Sequence, residues 1–169
     1  MLRPGRGACA RTSPRFGAGR LPRSPEKWHV SCDQRRMNID VPYGITRRLA
    51  NADVDDVRTR ITAALQTEGF GVLTEIDVQK TLEKKLGVTM DPYLILGACN
   101  PKLAHAALQA EPGIGLLLPC NVVVAKDGAD VVLSAASPKA MFAVAGAAAH
   151  LAPLAEDAET RIRRAVANA

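Results

Sequence analysis

Two apolar stretches flank a short polar turn, and that pairing limits the fold more than any other feature. Leu116 to Ala125 (LLLPCNVVVA) and Asp130 to Ala136 (DVVLSAA) are strand-like, and Lys126-Asp127-Gly128 between them is hairpin chemistry. A hairpin forces two strands to run antiparallel, so a wholly parallel α/β sheet is excluded. Pro119 interrupts the first stretch; a central strand poorly tolerates a missing donor, so a bulge or an edge position is expected there.

The segments before the hairpin alternate between strand and helix. Tyr43 to Leu49 reads as a first strand. Asn51 or Asp53 then caps a helix whose apolar stripe is Val54, Val57, Ile61 and Leu65, at spacings of three and four. Asp53, Asp55 and Asp56 favour its first turn, Asp56 and Arg60 form an i,i+4 pair on its outer face, and Gly69 stops it. Phe70 to Asp77 reads as a strand. Val78, Leu82 and Leu86 mark a short helix closed by Gly87. Tyr93 to Ala98 is a continuous apolar strand, and Asn100-Pro101 opens the next helix, with Asn as cap and Pro at the first position. Leu103, Ala104, Ala107 and Leu108 are its expected buried face, and Glu111-Pro112-Gly113 its terminating turn. After the hairpin, Ser137-Pro138 opens an Ala-rich helix through about Ala149. Pro153 separates this from a last helix with pairs Asp157–Arg161 and Glu159–Arg163. Strands such as YLILGA lack clean polar alternation, so helices must cover one face. The expected fold is an α+β two-layer sandwich with a mostly antiparallel sheet.

Charge must be divided before it is interpreted. The chain carries a net +5, but residues 1–36 hold eight Arg and one Lys against Glu26 and Asp33. Met37 to Ala169 is therefore slightly acidic, at −2, and the inference from a basic chain to a nucleic-acid partner fails for the domain. Aromatic residues, at 4%, are also too few for a base-stacking platform. Residues 1–36 have four Gly, four Pro and no apolar periodicity, and read as a disordered basic leader. The leader lacks the apolar stretch of a secretory signal. An Arg-rich organellar presequence, a nucleic-acid-binding arm carrying Phe16 and Trp28, and a start of translation at Met37 all remain open, the last being the plainest. The expected division is this leader, one domain over 37–150 and a C-terminal helix over 151–169. The longest apolar run, Ala140 to Ala149, is half the length of about 20 residues that a membrane span needs. No membrane partner is expected, and the expected location is the cytoplasm.

With the elements placed, two motifs carry a resemblance. YLILGACNPKLAHAALQAEPGIGLLLPCNVVV, residues 93–124, and EGFGVLTEIDVQKTLEKKLG, residues 68–87, resemble the family called domain of unknown function 302. The matching positions are Gly97, Asn100, Pro101, Glu111, Pro112, Leu118, Pro119, Cys120 and Asn121, within a resemblance that covers roughly residues 41–145. The leader and the tail after Ala155 lie outside it. The resemblance implies a compact α+β domain of TATA-binding-protein-like topology that tends to dimerise. It implies no established reaction.

Candidate chemistry gathers around the same motifs. Cys99 and Cys120 are the domain's two thiols; Cys9 and Cys32 lie in the leader. No Cys-x-x-Cys or paired-His spacing suggests a structural zinc site. Cys99 precedes the Asn100 cap, where helix amides carry partial positive charge, so its pKa is open to lowering. The thiols are then either small buried fillers or a reactive or metal-ligating pair, and His105 sits one turn into the same helix. Glu111 is either a cap for the Pro112-Gly113-Ile114-Gly115 turn or a functional acid. Asn121 either meets a ligand or completes the irregularity at Pro119. His29 and His150 belong to no constellation.

The favoured expectation is a non-enzymatic module in which the GACNP turn and the LPCNV strand face one another across a pocket of Cys99, Asn100, Glu111, Cys120 and Asn121. Its ligand would be a small anion at the helix start or a soft metal ion on Cys99 and Cys120. The alternative is a thiol-dependent enzyme or redox component using Cys99 or Cys120. No cofactor is identified by the sequence, and a homodimer is the expected assembly.

Overall fold

The central hairpin forms as its residues dictate. In the computed structural model, which describes residues 37–144 and 151–169, β4 (Cys120–Asp127) returns through Gly128, at φ +64°, into β5 (Asp130–Ala136). Around this pair stand β1 (Gly44–Leu49), β2 (Gly71–Asp77) and β3 (Tyr93–Cys99). The sheet order is β1-β5-β4-β3-β2 and every pairing is antiparallel. The domain is α+β, with this five-stranded sheet packed against helices.

The helices follow their caps. The Asp53 carboxylate accepts from the amides of Asp55 and Asp56 and starts α1 (Val54–Thr67). Gly69, at φ +83°, ends it, in a conformation that glycine adopts without a Cβ penalty. The α1 stripe of Val54, Val57, Ile61 and Leu65 is buried throughout. α2 (Val78–Leu86) closes at Gly87 but buries no residue fully, and Leu86 is exposed. α3 (Pro101–Ala110) buries Ala107 and half-buries Leu103 and Ala104. Leu108, expected on the buried face, is instead exposed. α4 (Pro138–Val144) begins where Ser137 caps it; the expected extension of this helix to Ala149 lies outside the described residues, as do His150 and everything assigned to the leader.

α5 (Ala152–Asn168) carries Pro153 in its first turn and is part of the core. Its Ile162, Ala165 and Val166 join the α1 stripe, Leu96, Val122, Val124 and Leu133 in one cluster. Three polar contacts fix it. The Glu68 carboxylate takes a bidentate pair from Arg164, at 2.9 and 2.7 Å. Glu159, buried, accepts from Ser137 Oγ at 2.7 Å and from Arg163. The Arg47 guanidinium donates to the carbonyls of Val166, Ala167 and Ala169, groups that a helix end leaves without partners of its own. The expected pairs Asp56–Arg60, Asp157–Arg161 and Glu159–Arg163 all form.

One expected strand is shorter than its sequence suggests. Residues Leu116 to Pro119 do not join the ladder. Pro112 to Leu117 wind into a 3₁₀ turn started by Glu111, whose carboxylate accepts from the Gly113 amide at 3.3 Å. Pro119, after a cis bond, sits just ahead of β4, so the missing donor falls outside the sheet and no bulge is needed in that strand. The ladder's irregularity lies in β2, between Val72 and Thr74.

Candidate functional site

The two motifs meet through a glycine. Gly97 in β3 is the register partner of Asn121 and of Thr74. A Cβ at Gly97 would stand 2.3 Å from Thr74 Oγ1 and 2.8 Å from Pro119 Cγ. The absence of a side chain thus leaves room over β3 for the Pro119 ring and the Thr74 hydroxyl. Asn100 is placed similarly. It is buried, its Oδ1 accepts from the amides of Lys102 and Leu103, and its Nδ2 rests where a Cβ on Gly69 would come within 3.0 Å.

Between these segments lies a cleft of about 30 Å³. The end of β3 gives it Ala98 and Cys99, and α3 gives Asn100, Leu103, Ala104 and Ala107. Leu118 and Cys120 also line it, and Phe70, Pro138, Phe142, Leu154 and Ala158 complete it. No charged side chain lines it. The walls from α4 and α5 were not foreseen from the sequence; the visible signal was the small Ala158 one turn before Ile162 on the buried face of an otherwise charged helix.

Three of the five expected site residues border this cleft, namely Cys99, Asn100 and Cys120; Glu111 and Asn121 do not. Asn121 is exposed because it alternates with Cys120 and Val122, which face the helices. Glu111 is occupied as the cap of the 3₁₀ turn. His105 is exposed. The helix start has no spare donor for an anion: Pro101 has no amide proton, Asn100 Oδ1 takes those of Lys102 and Leu103, and the Ala104 amide bonds the Asn100 carbonyl.

Both thiols are free. Ala98 and Cys120 are register partners, so Cys99 stands one residue out of phase, on the next pleat. Burial pushes the Cys120 thiol up to about 11, and the nearby Cys99 opposes its ionisation further. Burial also raises Cys99, overturning the expectation of a pKa lowered by the helix start. Among the described residues no group of three or more His, Cys, Asp or Glu side chains stands together to hold a metal ion. No described helix is long and apolar enough to cross a membrane.

The profile of the family described as "Domain of unknown function DUF302" matches residues 45–169. The chain belongs to this family. The match includes all of α5, so the expectation that the tail after Ala155 lies outside the family is overturned, in keeping with its place in the core. The domain is also similar to the crystal structure of an uncharacterized conserved DUF302 protein from Bacillus stearothermophilus. The identity is 26% and the TM-score 0.70, covering 76% of this chain and 98% of that one. A search of the curated proteins found no match.

Proposed function

We propose that this DUF302 domain is a non-enzymatic binding module whose ligand site is the cleft between the Asn100 turn and Leu118–Cys120. The observation that carries the reading is convergence: the GACNP turn and the LPCNV strand, both within the family-like stretch 93–124, line one cleft. Concave apolar clefts with few polar groups are the usual form of a small-ligand site. The thiol-enzyme alternative is weaker because burial holds Cys99 and Cys120 protonated at neutral pH. A soft metal ion on the same pair is weaker for that reason, and because no third donor among the described residues joins them. Free thiols fit a reducing compartment such as the cytoplasm.

A fragment library titrated into the full chain and followed by methyl NMR tests the reading. Hits are expected to shift the Ala98, Leu103 and Leu118 methyl groups. In the same sample, iodoacetamide is expected to label Cys120 only after denaturation. Hits that cluster away from these methyls remove the binding site, and rapid native labelling of either thiol below pH 8 restores the enzyme reading.

A homodimer is the proposed assembly. Its support is the edge position of β2 among the described strands, where Leu73 and Ile76 are 66% and 48% exposed. Sedimentation should give a dimer mass for the natural chain and a monomer mass for Ile76→Glu. A monomer in both would end the idea.

A further inference from the structure

We infer that the cleft takes an uncharged aliphatic group, entering end-on; the inference rests on the binding-module reading and narrows its ligand class. Three features of the walls carry it. Apart from Asn100 and the two thiols, every lining side chain is hydrocarbon, and none is charged. The single amide side chain keeps no acceptor to spare, since Asn100 Oδ1 accepts from the Lys102 and Leu103 amides, and its Nδ2 is a neutral donor. Neither thiol offers a negative charge near neutrality, because burial disfavours it. A carboxylate, phosphate or ammonium entering here would lose its hydration and meet no opposite charge, an unfavourable exchange in such surroundings.

Size narrows the class further. The cleft's volume of about 30 Å³ matches roughly two water-sized groups. Water itself is a poor occupant, because it needs two to four polar partners and the walls do not supply them. The half-buried Leu103, Ala104, Leu118 and Leu154 connect the hollow to the surface, so the remainder of a longer ligand stays outside. The end of an alkyl chain satisfies these conditions; a flat aromatic or a charged metabolite does not.

Straight-chain neutral alcohols from methanol to 1-hexanol, titrated into the full chain under methyl NMR, test the inference. Sodium formate and inorganic phosphate serve as charged counterparts without an aliphatic end. The alcohols are expected to shift the Ala104, Ala107 and Leu118 methyls, with affinity rising about fourfold per added methylene. The gain is expected to level off at about two carbons, when the enclosed space is full. Ala107→Leu fills the hollow and is expected to abolish the shifts. Ala104→Leu, at a half-buried position, provides the same test should Ala107→Leu fail to fold. Formate or phosphate, which have no hydrocarbon end to insert, shifting these methyls as strongly as methanol overturns the aliphatic class and leaves the binding site standing. Alcohol shifts that survive Ala104→Leu also overturn it. If no alcohol and no fragment shifts any of these methyls, the inference and the binding-module reading fall together.

Discussion

Replacing Gly97 with alanine is expected to destabilise the domain by about 3 kcal/mol, a cost at the upper end for overpacking. For a domain of this size that lowers Tm by roughly 10 °C. Two opposing effects meet at this position. Alanine would reduce the entropy of the unfolded chain and suit a strand better than glycine, a gain of about 0.5–1 kcal/mol. Against this, the new Cβ lands 2.3 Å from Thr74 Oγ1 and 2.8 Å from Pro119 Cγ. The threonine hydroxyl rotates away at small cost on its exposed strand. The proline ring has no such freedom, and displacing it moves the residues next to Cys120. The clash therefore wins. Thermal unfolding of Gly97→Ala, Pro119→Ala and the double variant measures it. The double variant should recover at least 1 kcal/mol relative to the sum of the singles, since truncating the ring relieves the overlap. Strict additivity would show that Pro119 is not what Gly97 makes room for.

That contact also marks where the sequence stops being informative. The α1 stripe, the Asp53 and Asn100 caps, the hairpin at Asp127-Gly128 and the ion pairs of α5 are local: each depends on residues within a few positions, so spacing and residue type reveal them. Leu116 to Pro119 misled because an unbroken apolar run satisfies strand and 3₁₀ turn alike. What decided between them was the Glu111 carboxylate on the Gly113 amide and the missing donor of Pro119, which together delay the ladder until Cys120. Leu116 is 93% exposed as a result. The site divides on the same principle. Cys99 and Asn100 border the cleft through the cap, and Cys120 through its strand. Asn121 does not, because which residue of Cys120-Asn121 faces the helices depends on register against Gly97 and Ala98, a long-range fact. The contributions of Phe142, Leu154 and Ala158 required knowing that α4 and α5 fold back over α3, which no local pattern states.

The domain is expected to lose about 2–3 kcal/mol of stability to Cys120 alone between pH 9 and pH 11. The thiol's ordinary pKa is 9.0 and burial in the fold raises it to about 11. Above pH 9 the unfolded chain gives up this proton while the folded chain keeps it. The unfolded state then binds fewer protons, so stability falls as pH rises, by about 1.4 kcal/mol for each unit of separation. The contribution is fully present below pH 9 and gone above pH 11. Lysine and tyrosine side chains titrate in the same range, so the informative quantity is the difference from Cys120→Ala, measured by urea unfolding at half-unit steps of pH. Near neutrality the variant should be the less stable protein, by about 1 kcal/mol for the sulfur removed from the core. Toward pH 11 the order should reverse. Parallel curves would mean that the thiol meets water in the fold and that the cleft is wider and wetter than its lining indicates. A difference of the opposite sign, with the natural chain gaining stability as pH rises toward 9, would mean a thiolate stabilised by the fold. That result would move Cys120 from the wall of a binding cleft to the centre of a reactive one.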